Sequence, residues 1–141
     1  MSLQDERITQ LLLETKTIVM IGASLKPIRA SHRVGNYMAA QGYRIIPVNP
    51  GHEGETLFGE RIRARMEDID EPVDMLNIFR RSEFIPPVVE TGLQTLKGLK
   101  SVWMQLGLEN ETARKMAEAA GKTVIEHRCL YIEHKRLIAG R

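Results

Sequence analysis

A chain of 141 residues, 43% apolar and 27% charged, is long enough to bury a core and too apolar for a disordered chain. Its formal charge of +2 is too small to imply nucleic acid, and three Phe, three Tyr and one Trp are too few for a single-strand stacking platform. No apolar run approaches the ~18 residues of a membrane span, the N-terminus lacks the basic-then-apolar order of a secretory signal, and the single Cys129 cannot make an internal disulfide, so the expectation is one soluble domain over residues 1–141 in a reducing, cytoplasmic compartment.

Helical and strand signals alternate along the chain. Ile8, Leu11 and Leu12 mark one face of an amphipathic helix over Asp5 to Thr15. Thr17 to Gly22 reads as a continuously apolar strand, the pattern of a parallel sheet covered on both faces. A turn with Ser24, Pro27 and Ser31 leads into a helix from His32 to Gln41, stopped by Gly42. Tyr43 to Val48 is a second strand, ended by Asn49-Pro50-Gly51; Pro47 inside it lacks a ladder donor and demands weak or absent pairing on one side. Gly51 to Ile69 is poorly patterned, with a short extended piece at Thr56 to Phe58 and a helical turn around Met66 to Ile69. Val73 to Phe79 is a third major strand, and Pro86 and Pro87 suit the first turn of a helix running to Leu96. Ser101 to Met104 is a strand, Glu109 to Ala120 a helix with Asn110 as its cap, and Thr123 to Glu126 the last strand; the tail from Leu130 to Arg141 is mixed.

This alternation with short loops predicts an α/β fold, an open, doubly wound, mainly parallel sheet of Rossmann-like type; the chain is too short for an eight-fold barrel. In such sheets ligands bind beyond the carboxyl ends of the strands. The segments there are Gly22-Ala23-Ser24, Asn49-Pro50-Gly51, Phe79-Arg80-Arg81-Ser82, Gln105-Leu106-Gly107 and Glu126-His127-Arg128-Cys129. They are small, amide-bearing or basic, without convergent carboxylates, which suits an anion better than acid–base chemistry. Arg29, Arg33, Arg80, Arg81 and Arg128 suit a small polyanion, or simply a solvated surface.

Gly22 admits close backbone approach, and amides at the next helix start can face a pyrophosphate, although neither the G-x-G-x-x-G spacing nor a P-loop is present. The second strand ends Val48-Asn49-Pro50 with no carboxylate for ribose hydroxyls, which disfavours NAD and leaves Asn49 as a weak ribose partner; Arg29, Arg33 and His52 stand on nearby loops. His32, His52, His127 and His134 are scattered and make no metal set. Cys129 beside His127 and Arg128 is either a thiolate nucleophile or an inert strand-end cysteine. Trp103 and Met104 read as core, Phe79 as core or as cover for an adenine or pantetheine, and the acidic runs Glu53-Gly54-Glu55 and Glu67 to Glu71 as solvated loops.

The strings Ile21-Gly22-Ala23-Ser24, Gly42 to Pro50, Pro72-Val73-Asp74, Ile78-Phe79-Arg80, Val102 to Gly107, His127 to Leu130 and Glu133 to Leu137 resemble, in this order, the CoA-binding-domain family of small bacterial and archaeal proteins. The resemblance implies a Rossmann-like fold similar to the N-terminal domain of the succinyl-CoA synthetase α subunit. It implies that Gly22, Ala23 and Ser24 meet CoA phosphates, that Val48, Asn49 and Pro50 meet the nucleotide end, and that Phe79 and Arg80 line the pantetheine path. Arg29, Arg33, Gln105 and Cys129 complete the candidate set, with no catalytic residue and no metal ligand. The position after Pro50, often basic in relatives, is Gly51-His52 here. The segments of the synthetases' phosphohistidine domain and grasp-type partner are absent from this sequence. The expectation is therefore a stand-alone module for CoA or a short acyl-CoA with no ligase activity. The alternatives are an enzyme using Cys129 with CoA, or an NAD-binding regulator or oxidoreductase.

Overall fold

The computed structural model describes residues 2–140. Seven strands form among the described residues: β1 Thr17–Ile21, β2 Arg44–Val48, β3 Thr56–Leu57, β4 Glu60–Arg61, β5 Met75–Ile78, β6 Ser101–Met104 and β7 Thr123–Ile125. Five of them make one parallel sheet in the order β2-β1-β5-β6-β7, while β3 and β4 pair as a separate antiparallel hairpin. The helices are α1 Leu3–Glu14, α2 Ala30–Ala40, α3 Ile85–Thr95, α4 Glu111–Ala119 and α5 Leu130–His134, the last running on into a π-helical turn, Lys135–Ala139. This is the doubly wound α/β architecture expected.

Alternation along each strand sends side chains to two apolar layers. Val19, Ile46, Leu76, Val102 and Val124 face α3 and α4, where Ile85, Val89, Ala113 and Ala117 are buried. Ile18, Ile45, Met75, Trp103 and Ile125 face α1, α2 and α5, where Ile8, Leu12, Val34, Met38 and Leu130 are buried. Trp103 is fully buried, and its indole N–H donates to the Arg128 carbonyl at 2.8 Å, so it is core with its polar atom satisfied. β1 and β5 start level because the Asp74 carboxylate accepts from the backbone N–H groups of Lys16 and Thr17 at 2.9 and 3.0 Å. Burial works against that charge, but the two amides and Lys100 outweigh it and hold the carboxyl below its usual range.

β2 is an edge strand, which is where Pro47 belongs. The Pro47 carbonyl accepts from the Arg63 N–H at 3.0 Å, and the Asn49 N–H donates back to the Arg63 carbonyl at 2.9 Å. Since N–H and C=O of one strand residue point the same way, the missing donor faces outward and the ladder to β1 is intact.

Three local expectations change. First, α1 begins at Leu3, earlier than the apolar face requires, because the Ser2 hydroxyl caps it by accepting from the Asp5 N–H at 3.0 Å. Second, the extended piece at Thr56 to Phe58 is one arm of a hairpin whose turn residues, Phe58 and Gly59, have φ of 57° and 77°. A phenylalanine in that turn is no hairpin signal; it is held because its ring lies flat against Gly35 of α2, where a Cβ would overlap it. Third, the mixed tail is helical, with Leu130 and Leu137 buried seven residues apart. The positions between them that a helix would also bury are Glu133 and His134, so the apolar period is broken in sequence but not in space.

Candidate functional site

Leaving β1, the chain moves outward to β2 and then returns to β5 on the opposite side, so the connections that leave the carboxyl ends of β1 and β5 part toward opposite faces of the sheet at the point where strand order reverses. A cleft of about 760 Å³ opens there, a volume ordinary for small-molecule sites. Its wall is made by the ends of β1, β2 and β5, the first turn of α2, the first turns of α3, and the 3-10 turn Met66–Asp68 with Arg65 before it.

Gly22 sits at φ +84°, and a Cβ on it would overlap the Phe79 carbonyl oxygen. The two strand ends run that close because the Phe79 N–H still donates to Ile21 O at 2.9 Å. Only glycine satisfies both demands. The loop that follows is closed internally: the Ser24 hydroxyl accepts from the Lys26 N–H at 3.1 Å, the Arg29 N–H donates to Lys26 O at 3.0 Å, and Arg33 Nη1 donates to Ile28 O at 2.6 Å. Asn49 fastens this loop to the second. Its Nδ2 donates to Ala23 O at 2.8 Å, and its Oδ1 accepts from the Gly51 N–H at 2.9 Å. The bridge between Val48 and Arg63 then brings Arg65 to the cleft two residues later.

Arg29 occupies the N-cap position of α2 and makes no side-chain cap. Ala30 and Ser31 of the first turn line the cleft, at the positive end of the helix dipole, while the His32 and Arg33 N–H groups donate to the Arg29 carbonyl at 3.1 and 3.3 Å. Arg29, Arg65 and Arg80 are the cations of the wall and Glu67 is its carboxylate. Arg80 rests over the Phe84 ring at 5.2 Å from its centroid, with Arg81 at the same distance. Arg65 reaches Asp68 at 3.5 Å in an exposed pair. Phe79, Met66, Pro87 and Val88 supply apolar surface. Neither a histidine nor a thiol is among the described wall residues, and no group of three or more His, Cys, Asp or Glu among the described residues could hold a metal. The arrangement sets three guanidinium groups and one carboxylate beside an apolar groove.

Of the residues singled out from sequence, Gly22, Ala23, Ser24, Arg29, Val48, Asn49, Pro50, Phe79 and Arg80 are brought together on this wall. Arg33, Gln105 and Cys129 are not part of it. Arg33 closes its own loop. Gln105 is buried, its side-chain carbonyl toward the Leu130 N–H at 3.5 Å. Cys129 lies at the start of α5, half-buried against the α1/α2/α5 layer. Arg128 pairs with the buried Glu133 at 2.8 Å, Arg81 with Glu83 at 3.4 Å, and His52 with Glu55 at 2.7 Å. The Asn49 amide, read as a ribose partner, is engaged by backbone instead. The acidic run Glu67 to Glu71 is not a uniform solvated loop: Glu67 enters the cleft, Asp70 pairs with Lys97, and Glu71 pairs with Arg44.

Sequence reading missed Arg65, Met66 and Glu67, and also Pro87, Val88 and Thr91 of α3. The first group lies in the unpatterned stretch, and its only signal was the basic Arg65 ahead of a helical turn. The second group was legible as the start of a helix following a strand end, which is where a doubly wound sheet turns a helix toward its ligand.

An open, parallel α/β sheet with a cleft lined by arginines at its switch point defines a Rossmann-like class of protein. Within that class the chain belongs to the CoA binding domain family, whose profile matches residues 16–135. It is 41% identical over 127 residues to a Bacillus subtilis (strain 168) protein, YneT, covering 90% of this chain and 91% of that one. Among solved structures it is similar to a Thermus thermophilus protein, cell-free ID.343, with TM-score 0.88 and 40% identity over 95% of this chain and 98% of the other. It is likewise similar to a Pyrococcus horikoshii OT3 protein, with TM-score 0.89 and 33% identity over 97% and 94%.

Proposed function

We propose that this chain binds coenzyme A, or a short acyl-CoA, as a stand-alone module without ligase activity of its own. The observation that carries the reading is that the first turn of α2, through Ala30 and Ser31, lines the same cleft as the Gly22 loop, Arg29 and Arg80. Backbone donors and guanidinium groups suit a pyrophosphate there. The apolar run of Phe79, Val88 and Met66 beside them suits a pantetheine arm. Family membership supports the same ligand. No helix among the described residues is long and apolar enough to cross a membrane.

Calorimetric titration with CoA and NAD tests the proposal. CoA is expected to bind, NAD to bind at least about tenfold more weakly, and Arg29→Glu to weaken CoA by about tenfold or more through charge reversal beside the phosphates. NAD bound in preference to CoA would instead support the dinucleotide regulator or oxidoreductase. Mass spectrometry of natively purified protein reports any CoA species carried through.

A further inference from the structure

The geometry points to Arg65 and Glu67 as the residues that read the ligand's adenosine ribose, Arg65 taking a ribose phosphate and Glu67 a neighbouring free hydroxyl. The inference rests on the CoA reading above and specifies which end of the ligand meets which wall.

Three observations carry it. The β2 tip, where a dinucleotide site of this fold places its ribose acid, holds Val48-Asn49-Pro50, and the Asn49 side chain is bonded to Ala23 O and the Gly51 N–H. The basic candidate beyond the tip, His52, is paired with Glu55 and is not on the described wall. The charged groups that do stand beside the tip come from the 3-10 turn: Arg65 and Glu67 both line the cleft, with Met66 buried between them as the anchor. The backbone exchange between Arg63 and β2 fixes this turn against the strand end.

The pair has a specific stoichiometry. A ribose with two free hydroxyls calls for a carboxylate acceptor and no cation. A ribose bearing one phosphate and one hydroxyl calls for one of each. Arg65 and Glu67 supply one guanidinium and one carboxylate. The Arg65 contact with Asp68 is exposed and 3.5 Å long, of the kind worth little and readily exchanged for a dianionic phosphate. Glu67 has no ion partner among the described residues, so its oxygens remain free to accept from a hydroxyl.

The test is binding of CoA, dephospho-CoA and NADP to wild type, Arg65→Ala and Glu67→Gln, with circular dichroism as a check of folding; both side chains are exposed. Wild type is expected to prefer CoA over dephospho-CoA by about tenfold or more, and over NADP, whose phosphate sits on the other hydroxyl. Arg65→Ala should erase most of the first preference by weakening CoA alone. Glu67→Gln should weaken CoA and dephospho-CoA together and leave their ratio unchanged. Equal loss of both ligands in Arg65→Ala, a preference that survives it, or tighter CoA binding in Glu67→Gln would overturn the assignment. Wild type that binds CoA and dephospho-CoA alike would also overturn it while leaving CoA binding standing. Wild type that binds neither would overturn both.

Discussion

Gly22 carries two constraints on one backbone position, a left-handed φ and the overlap a Cβ would make with Phe79 O. Gly22→Ala should therefore cost about 1–3 kcal/mol of stability, measured by urea unfolding, and lower CoA affinity as the β1 and β5 ends part. The glycine was legible in sequence as a strand-end residue at a ligand edge. The reason it must be glycine was not, because the atom it would strike comes from Phe79, 57 positions along the chain. Asn49 shows the opposite case. Its place at the site was legible, but its role was not, since a side-chain amide near a ribose and a side-chain amide clamping two loops have the same sequence.

At the scale of elements, the C-terminal helical segment is fastened to α2 by a polar contact. His134, buried at the end of α5, lies 2.9 Å through Nδ1 from the Tyr37 hydroxyl, and Tyr37 stacks on Tyr131 with ring centroids 4.0 Å apart. Burial pushes the imidazole pKa down, while Tyr37 and Tyr43 around it are pushed up by burial and stay neutral. In the unfolded chain His134 takes its proton near about pH 6.5. Below that value the unfolded state binds more protons than the folded one, so stability is lost as pH falls from about 6.5 toward the lower folded pKa. Wild type should lose stability between pH 7 and pH 5 by up to about 1.4 kcal/mol per pH unit, and His134→Phe should flatten that slope in chemical unfolding read across the same range. The five strands of the parallel sheet and the first four helices were legible from their apolar patterns, whereas the hairpin strand Glu60–Arg61, with no apolar residue, was not. The C-terminal helical segment was not either, because its inner face carries Glu133, neutralised by Arg128 and Arg136, and His134.

For the whole molecule, the cleft depends on elements far apart in sequence: the β1 loop, the β2 tip, the 3-10 turn, the β5 end and α3. A ligand that bridges them should stabilise all of them together. CoA at about a hundred times its dissociation constant is expected to add about 2.7 kcal/mol, a rise in Tm of roughly 5–10 °C in a thermal-shift measurement, with less from NAD at the same concentration. That rise should shrink with added salt if the guanidinium groups contribute as argued. The alternation of strands and helices fixed the edge at which to look, and composition at the strand ends indicated an anion. The turn bearing Arg65 and Glu67 escaped notice because a short 3-10 segment has no period to read.

The place of Pro47 in an edge strand has one more effect. An open sheet margin invites a second molecule to add a strand and begin fibre growth. Along β2 such a molecule would find no amide at Pro47 and Arg63 already seated on the neighbouring groups. At the far margin it would find β7, only three residues long. The same proline that interrupts an apolar strand in the sequence thus helps keep the folded chains from templating one another.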